Sequence, residues 1–371
     1  MDTKNKTLVN EIVLLGFQNL HNFKIPLFSL FLLIYIMTVW ENVLIIVLVS
    51  SSRNLQSPMY FFLQQLSVSD LLESSNIVPT LLQTVTNEGT TVSIIDCLIQ
   101  FYFFSVTEAF EIFLLAVMSY DRYVAICIPL RYSSIMSHRV CTKLILMSWA
   151  LGLVIEGFAI NLMGTLQFCD QNTVDHFFCD FFPLVELSCS DTFLLKIVAF
   201  SLSIPMLFIP FILIIVSYIC IGRAILKIVS NTGRQKAFST CSSHLAVVSI
   251  FYGTLIAIYV VPPKHGSQII SKILSLLYTV LIPLVNPVIY GLRSIQIKKD
   301  HLAALQIASG EAFASIAQEL ARALVEWAFN PRGTFLPAAL YVFAIAATIQ
   351  ELNVFLDGAV PFLKPPGITN R

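Results

Sequence analysis

With 371 residues, of which 57 % are hydrophobic and only 12 % charged, the chain carries more apolar mass than a soluble fold of this length can bury. A formal net charge of zero excludes electrostatic capture of nucleic acid, or of any strongly acidic partner, as its organising theme. The composition is that of a membrane protein in which the placement of charge matters more than its total.

The chain opens on MDTKNKTLVNEIVLLGF, whose short apolar patch is followed by polar residues, so a cleaved secretory signal is not expected and the first long apolar run does the targeting. Runs long enough to cross a hydrocarbon core as helix, about 20 residues each, fall at 25–49, 59–82, 98–127, 141–163, 194–226, 238–261 and 270–292. Lipid offers no partner to an open backbone, so the fold class is all-α, a bundle of seven transmembrane helices. Pro205, Pro210, Pro283 and Pro287 then mark kinks rather than breaks. With the N-terminus outside, the inner segments hold twelve Lys and Arg and the outer ones six, which sets N-terminus out and C-terminus in. Residues 1–24 are then extracellular, and the Asn5-Lys6-Thr7 sequon makes Asn5 a glycosylation acceptor. Residues 25–299 form the seven-helix domain. Beyond 300 the composition shifts: alanine occurs 10 times in the first 300 residues and 15 times in the last 71. That extension, of unassigned role, begins with an amphipathic helical pattern through Phe313, Ile316, Leu320, Leu324 and Trp327.

Within this frame several polar residues stand out. Arg122 falls where the third helix reaches the cytoplasmic surface, and an arginine half out of lipid needs a partner, which neighbouring Asp121 supplies. Asn42, Asp70 and Asn286 fall at mid-membrane depth in helices 1, 2 and 7 and are expected to share a network. Glu108 lies one helical turn from Glu111, and the membrane core holds no Lys or Arg to neutralise either. Cys97, Cys169, Cys179 and Cys189 fall on the oxidising outer side, where four cysteines allow three pairings, while Cys127, Cys141, Cys220 and Cys241 fall in or near the reducing cytosol. The outer loop from 164 to 193 carries Asp170, Asp175, His176, Asp180, Glu186 and Asp191. His176 and Asp180 are weak ground for a metal site, and the loop reads as a lid with its charges in water. His244 beside Ser242 and Ser243 does not make a hydrolase, because adjacent helical residues point in different directions and a triad must converge. A transporter or channel is the alternative function, but no repeat relates the spans and no charged pathway lines them.

PMYFFLQQLSVSD (58–70), MSYDRYVAIC (118–127), SY (217–218), KAFSTCSSHL (236–245) and PLVNPVIYGLR (283–293) each fall at the expected end of a span. Together they resemble the odorant (olfactory) receptor family of rhodopsin-like G-protein-coupled receptors, from about residue 8 to about 299. One departure is Glu41, where that family usually has glycine before the asparagine. The resemblance implies a multi-pass plasma-membrane receptor that is not an enzyme, uses no cofactor or metal, and binds a small organic odorant. It further implies a partner G protein of the stimulatory, olfactory type, signalling through cyclic AMP. Ligand binding would move helix 6 outward and expose Arg122, with Asp121, Tyr123, Tyr218, Lys236, His244 and Tyr290 as the other switch and coupling residues. Asn42, Asp70, Glu111 and Asn286 would form the water- or sodium-linked network. Two close carboxylates cannot both stay ionised cheaply, so one of Asp70 and Glu111 carries a proton or a cation lies between them. The family's disulfide pattern is Cys97–Cys179 and Cys169–Cys189. From helix geometry and the resemblance, the pocket draws on Phe104, Ser105, Glu108 and Ala109, on Leu202 and Met206, on Tyr252, Leu255, Ile256 and Tyr259, and on Leu276 and Thr279. Glu108 would either orient the ligand, protonated or paired with an amine, or bond neighbouring hydroxyls as a protonated acid.

Overall fold

The computed structural model describes residues 9–18, 20–52, 55–87, 89–169, 172–260 and 268–293. A helix covers each of the seven apolar runs: α1 (Lys24–Ser51), α2 (Pro58–Asn87), α3 (Ile94–Cys127), α4 (His138–Met163), α5 (Phe193–Leu226), α6 (Asn231–Val260) and α7. The last is built from Gln268–Leu276, a π-helical turn at Leu277–Leu281, and Ile282–Arg293. Five of them, α1, α3, α4, α5 and the Ile269–Tyr290 stretch of α7, are long and apolar enough to cross a membrane.

Local sequence explains where these helices start and how they bend. Pro58 opens α2, where its missing N–H costs nothing. Ser93 caps α3: its Oγ accepts from Asp96 N at 3.0 Å and donates to Asp96 Oδ2 at 2.8 Å. Pro79, Pro205, Pro210 and Pro287 all lie inside continuing helices, as expected of kinks in lipid. The π turn of α7 directly precedes Pro283, where a missing donor loosens the helical ladder.

The centre of the bundle is α3. Phe110 stacks on Trp149 of α4 with ring centres 4.0 Å apart, and Gly152 lets α4 come close, since a Cβ there would sit 3.2 Å from Val106 O and 3.4 Å from Ala109 Cβ. By contrast, only 17 % of the most apolar window of α5 is buried, so its Phe200, Phe208, Ile212 and Val216 face outward, as lipid-facing side chains do. Glu41 does not disturb the seating of α1, whose next residue, Asn42, is fully buried.

The all-α expectation needs one amendment. At one end of the bundle, the apolar patch near the N-terminus forms β1 (Glu11–Leu14), antiparallel to β2 (Thr90–Ser93) and parallel to β3 (Thr173–Val174). Alternation explains it: Ile12 and Leu14 are fully buried while Glu11 is exposed. Four residues are too few to announce a strand, and its partners lie far along the chain. The loop carrying β3 is fastened by the Cys97–Cys179 and Cys169–Cys189 disulfides, so both pairings implied by the resemblance are present.

Candidate functional site

The end opposite the sheet presents Asp121 and Arg122 in the last turns of α3, both buried. Arg122 donates through Nε to Asp121 Oδ2 at 2.9 Å and through Nη2 to the same oxygen. The other oxygen, Oδ1, accepts from Tyr132 Oη at 2.8 Å. Tyr132 opens a one-turn helix (Tyr132–Ile135) in the connection after α3, where burial and then the Asp121 charge hold its hydroxyl above the usual phenol range, so it remains a donor. Both carboxylate oxygens are therefore engaged, one by the arginine and one by a tyrosine that the sequence reading did not single out. Its signal was its place in IPLRY, directly after the motif. Tyr132 also lines a cavity of ≈ 400 Å³ bounded by Phe61, Met136, His138 and Cys141, which gives its ring room to leave.

Tyr218 of α5 turns to α6 rather than to Arg122: its Oη lies 2.6 Å from His244 Nδ1, and the two rings stack. Tyr290 is buried, and its hydroxyl has no hydrogen-bond partner among the described residues. The ring of Tyr123 lies near Tyr120. The side chain of Lys236 lies outside the described residues, as do Asn5, the side chain of Tyr259 and the extension from 300.

At mid-depth, Asn286 Nδ2 donates to Asp70 Oδ1 at 3.1 Å and Oδ2 at 3.3 Å, joining α7 to α2. Asn42 Nδ2 reaches α7 through the Pro283 carbonyl at 3.0 Å and also bonds Thr38 O. Asn42 thus joins α1 to α7 without touching Asp70. Glu111 is buried beside Asp70. A further acid, Glu73, lies one turn from Asp70, is 1 % exposed, and is an electrostatic neighbour of Asp70, Glu108 and Glu111. Its spacing of three from Asp70 was the signal that could have found it.

Toward the sheet, Phe104 packs against Phe178 of the loop (5.3 Å between ring centres) and Tyr278 of α7 (5.7 Å). Ser105 Oγ donates to Phe101 O, and Glu156 of α4 lies beside it. Glu108 has Glu111, Glu156 and Asp180 for electrostatic neighbours, so a loop acid approaches it from above. Met206 and Leu276 pack against the core, Leu202 is half-buried, and Tyr252 and Leu255 are buried, the Tyr252 ring against Phe211. Thr279 is buried and bonds Ser275 O. Two members of the expected pocket point elsewhere: Ala109 meets Gly152 of α4, and Ile256 is 46 % exposed on the outer side of its helix.

Only part of the loop's charge lies in water, at exposed Glu186 and Asp191. His176 is buried between the rings of Phe177 and Phe178, where burial and then the Lys272 charge lower its pKa to about 3. Asp180 is raised to about 6 by burial, while its Oδ1 accepts from Phe181 N at 2.7 Å. Asp175 pairs with Lys272.

The olfactory receptor family model matches residues 31–306, a few residues past the expected 299. Human olfactory receptor 11L1 is 47 % identical over 300 residues, 81 % of this chain and 93 % of that one. Human olfactory receptor 5G3 is 46 % identical over 298 residues, 80 % and 95 % of the two chains, and rat olfactory receptor 1496 is 44 % identical over 295, again 80 % and 95 %.

Proposed function

The chain belongs to the olfactory receptor family, and from that membership we propose that a small organic odorant, bound between α3, α5, α6 and α7 beneath the sheet-bearing loop, frees Arg122 to engage a G protein of the stimulatory type and raise cyclic AMP. The chain is an odorant G-protein-coupled receptor, multi-pass in the plasma membrane, and not an enzyme. Seven crossings, with the N-terminus outside, are part of the proposal. α2 and α6, each of 30 residues, cross with polar residues turned inward, which is why they are less apolar than the other five.

The observation that carries this reading is the engagement of both Asp121 oxygens, one by Arg122 and the other by Tyr132. A buried guanidinium is costly to free unless a new partner replaces the old. The energy must come from a ligand that prefers the open bundle, and the new partner is the G protein. Mostly apolar walls around Phe104, Met206, Leu255 and Leu276, with hydroxyls at Tyr252 and Thr279, suit a small volatile molecule. Glu108 is the polar contact that would orient it.

Cells expressing the receptor are to be exposed to an odorant panel with cyclic AMP as the readout, beside Arg122→Ala and a version truncated after Lys299. The expected result is a response that Arg122→Ala abolishes and the truncation preserves. A full response from Arg122→Ala would overturn the switch assignment.

A further inference from the structure

The sheet end of α7 carries Lys272, a residue the sequence reading counted only among the outer charges. Its side chain is 8 % exposed, far too buried for a solvated lysine. The ammonium donates to the Gly16 carbonyl at 2.8 Å and to Asp175 Oδ1 at 2.5 Å, and lies 5.9 Å from the centre of the Phe17 ring. Gly16 follows β1 and Asp175 follows β3, so a single charge on α7 holds both the N-terminal segment and the loop. The backbone at Gly16 is shaped for this contact. Its φ of +58° suits glycine, and a Cβ would meet Thr84 at 2.5 Å.

The loop and the N-terminal segment are joined into one layer, because Val13 N donates to Asn172 O, Leu15 N to Val174 O and Gly16 N to His176 O, at 2.7, 2.9 and 3.0 Å. The Phe17 ring also stacks on Phe177. Two of the contacts that hold this layer differ in kind. Toward α3 it is held by the Cys97–Cys179 disulfide, which is permanent in an oxidising compartment. Toward α7 it is held by Lys272. That ion pair is reversible, because the Asp175 side chain is 34 % exposed and water can replace the ammonium.

We propose that Lys272 is the latch of an outer gate: when its ammonium leaves Asp175 and Gly16 the layer lifts from α7, hinged on the disulfide side, and the ligand passes between layer and helix. That something passes rests on the function proposed above; the lifting does not.

Hydrogen exchange on the full-length receptor in lipid nanodiscs, without ligand, tests the lifting. Lys272→Met keeps the apolar stem and removes the charge, and Lys272→Arg keeps the charge. Lifting lets water reach the buried underside of the layer, so its short strand pairs open more often: the expected result is exchange about tenfold faster at the Val13, Leu15 and Gly16 amides in Lys272→Met, unchanged rates in the α3 core around Phe110, and near-native rates in Lys272→Arg. Native rates in Lys272→Met, or acceleration spread through the whole bundle, overturn the latch. The second measurement is decay of the cyclic AMP signal after washout of an active odorant, expected to be faster in Lys272→Met. Unaltered decay alongside local loosening overturns the gate and leaves the receptor function standing. A panel in which no odorant evokes a signal overturns the function, and the exchange rates still decide the latch.

Discussion

At the scale of single residues, Tyr132 carries the sharpest expectation. Tyr132→Phe removes the donor to Asp121 Oδ1 and changes little else, since the ring keeps its place beside the cavity. A lost hydrogen bond to a charged group of this kind weakens the closed state by about 1.5 kcal/mol, roughly tenfold in the ratio of open to closed receptor. Basal cyclic AMP should rise accordingly, and an unchanged baseline would mean that Arg122 alone holds Asp121. His176 supplies a dependence on pH. Its pKa is about 3 in place against an ordinary 6.5, so the unfolded chain binds the extra proton between those values. Its contribution is fully present above pH 6.5 and is lost as the pH falls toward 3. Asp180, raised to about 6, contributes in the opposite sense, with stability present below its ordinary 3.8 and lost above 6. Thermal melting of the purified receptor at pH 7 and pH 5 isolates the histidine: His176→Phe should be less destabilised by acid than the native chain. Such details were only partly legible beforehand. Asp121, Arg122, Asp70 and Asn286 announce themselves because charge and amide are rare in lipid. Tyr132 and Lys272 do not, since a loop tyrosine and an outer lysine are ordinary until their partners are known.

Among the elements, the approach of α4 to α3 depends on Gly152, where even one methyl would press on Val106 O and Ala109. Gly152→Val should cost about 1–3 kcal/mol through overpacking and lower the melting temperature, with Gly152→Ala milder. The helices were legible almost to their ends: the run expected at 141–163 is His138–Met163, and that at 194–226 is Phe193–Leu226. Long apolar runs encode helices because lipid leaves the backbone no alternative. The strands were not legible, because β1, β2 and β3 have four, four and two residues and owe their existence to one another rather than to local propensity. The π turn of α7 was hidden for a related reason: Pro283 signals a disturbed ladder but not the form the disturbance takes.

Across the whole molecule, polar contacts mark three depths of the bundle. Lys272 joins α7 to the outer layer, Asn286 joins it to Asp70 at mid-depth, and Arg122 rests on Asp121 at the inner end of α3. α7 takes part in the first two, so movement at its outer end bears on the mid-depth contact through one continuous helix bent at a π turn. The expected pocket was legible as a region and less so residue by residue. Phe104 meets Phe178 of the loop, but helical spacing could not foresee that Ala109 is taken up by Gly152 or that Ile256 turns outward. Those outcomes depend on how far each helix rotates about its own axis, which seven mutually packed helices decide together.

The strand order β2-β1-β3 also has a consequence for how the receptor is made. Val13 finds its register opposite Thr173, about 160 residues later in translation, so β1 must wait until α1 to α4 have been made before its last partner emerges. Throughout that interval two apolar side chains, Ile12 and Leu14, lack their final cover, and a chaperone has its opportunity to hold the nascent chain.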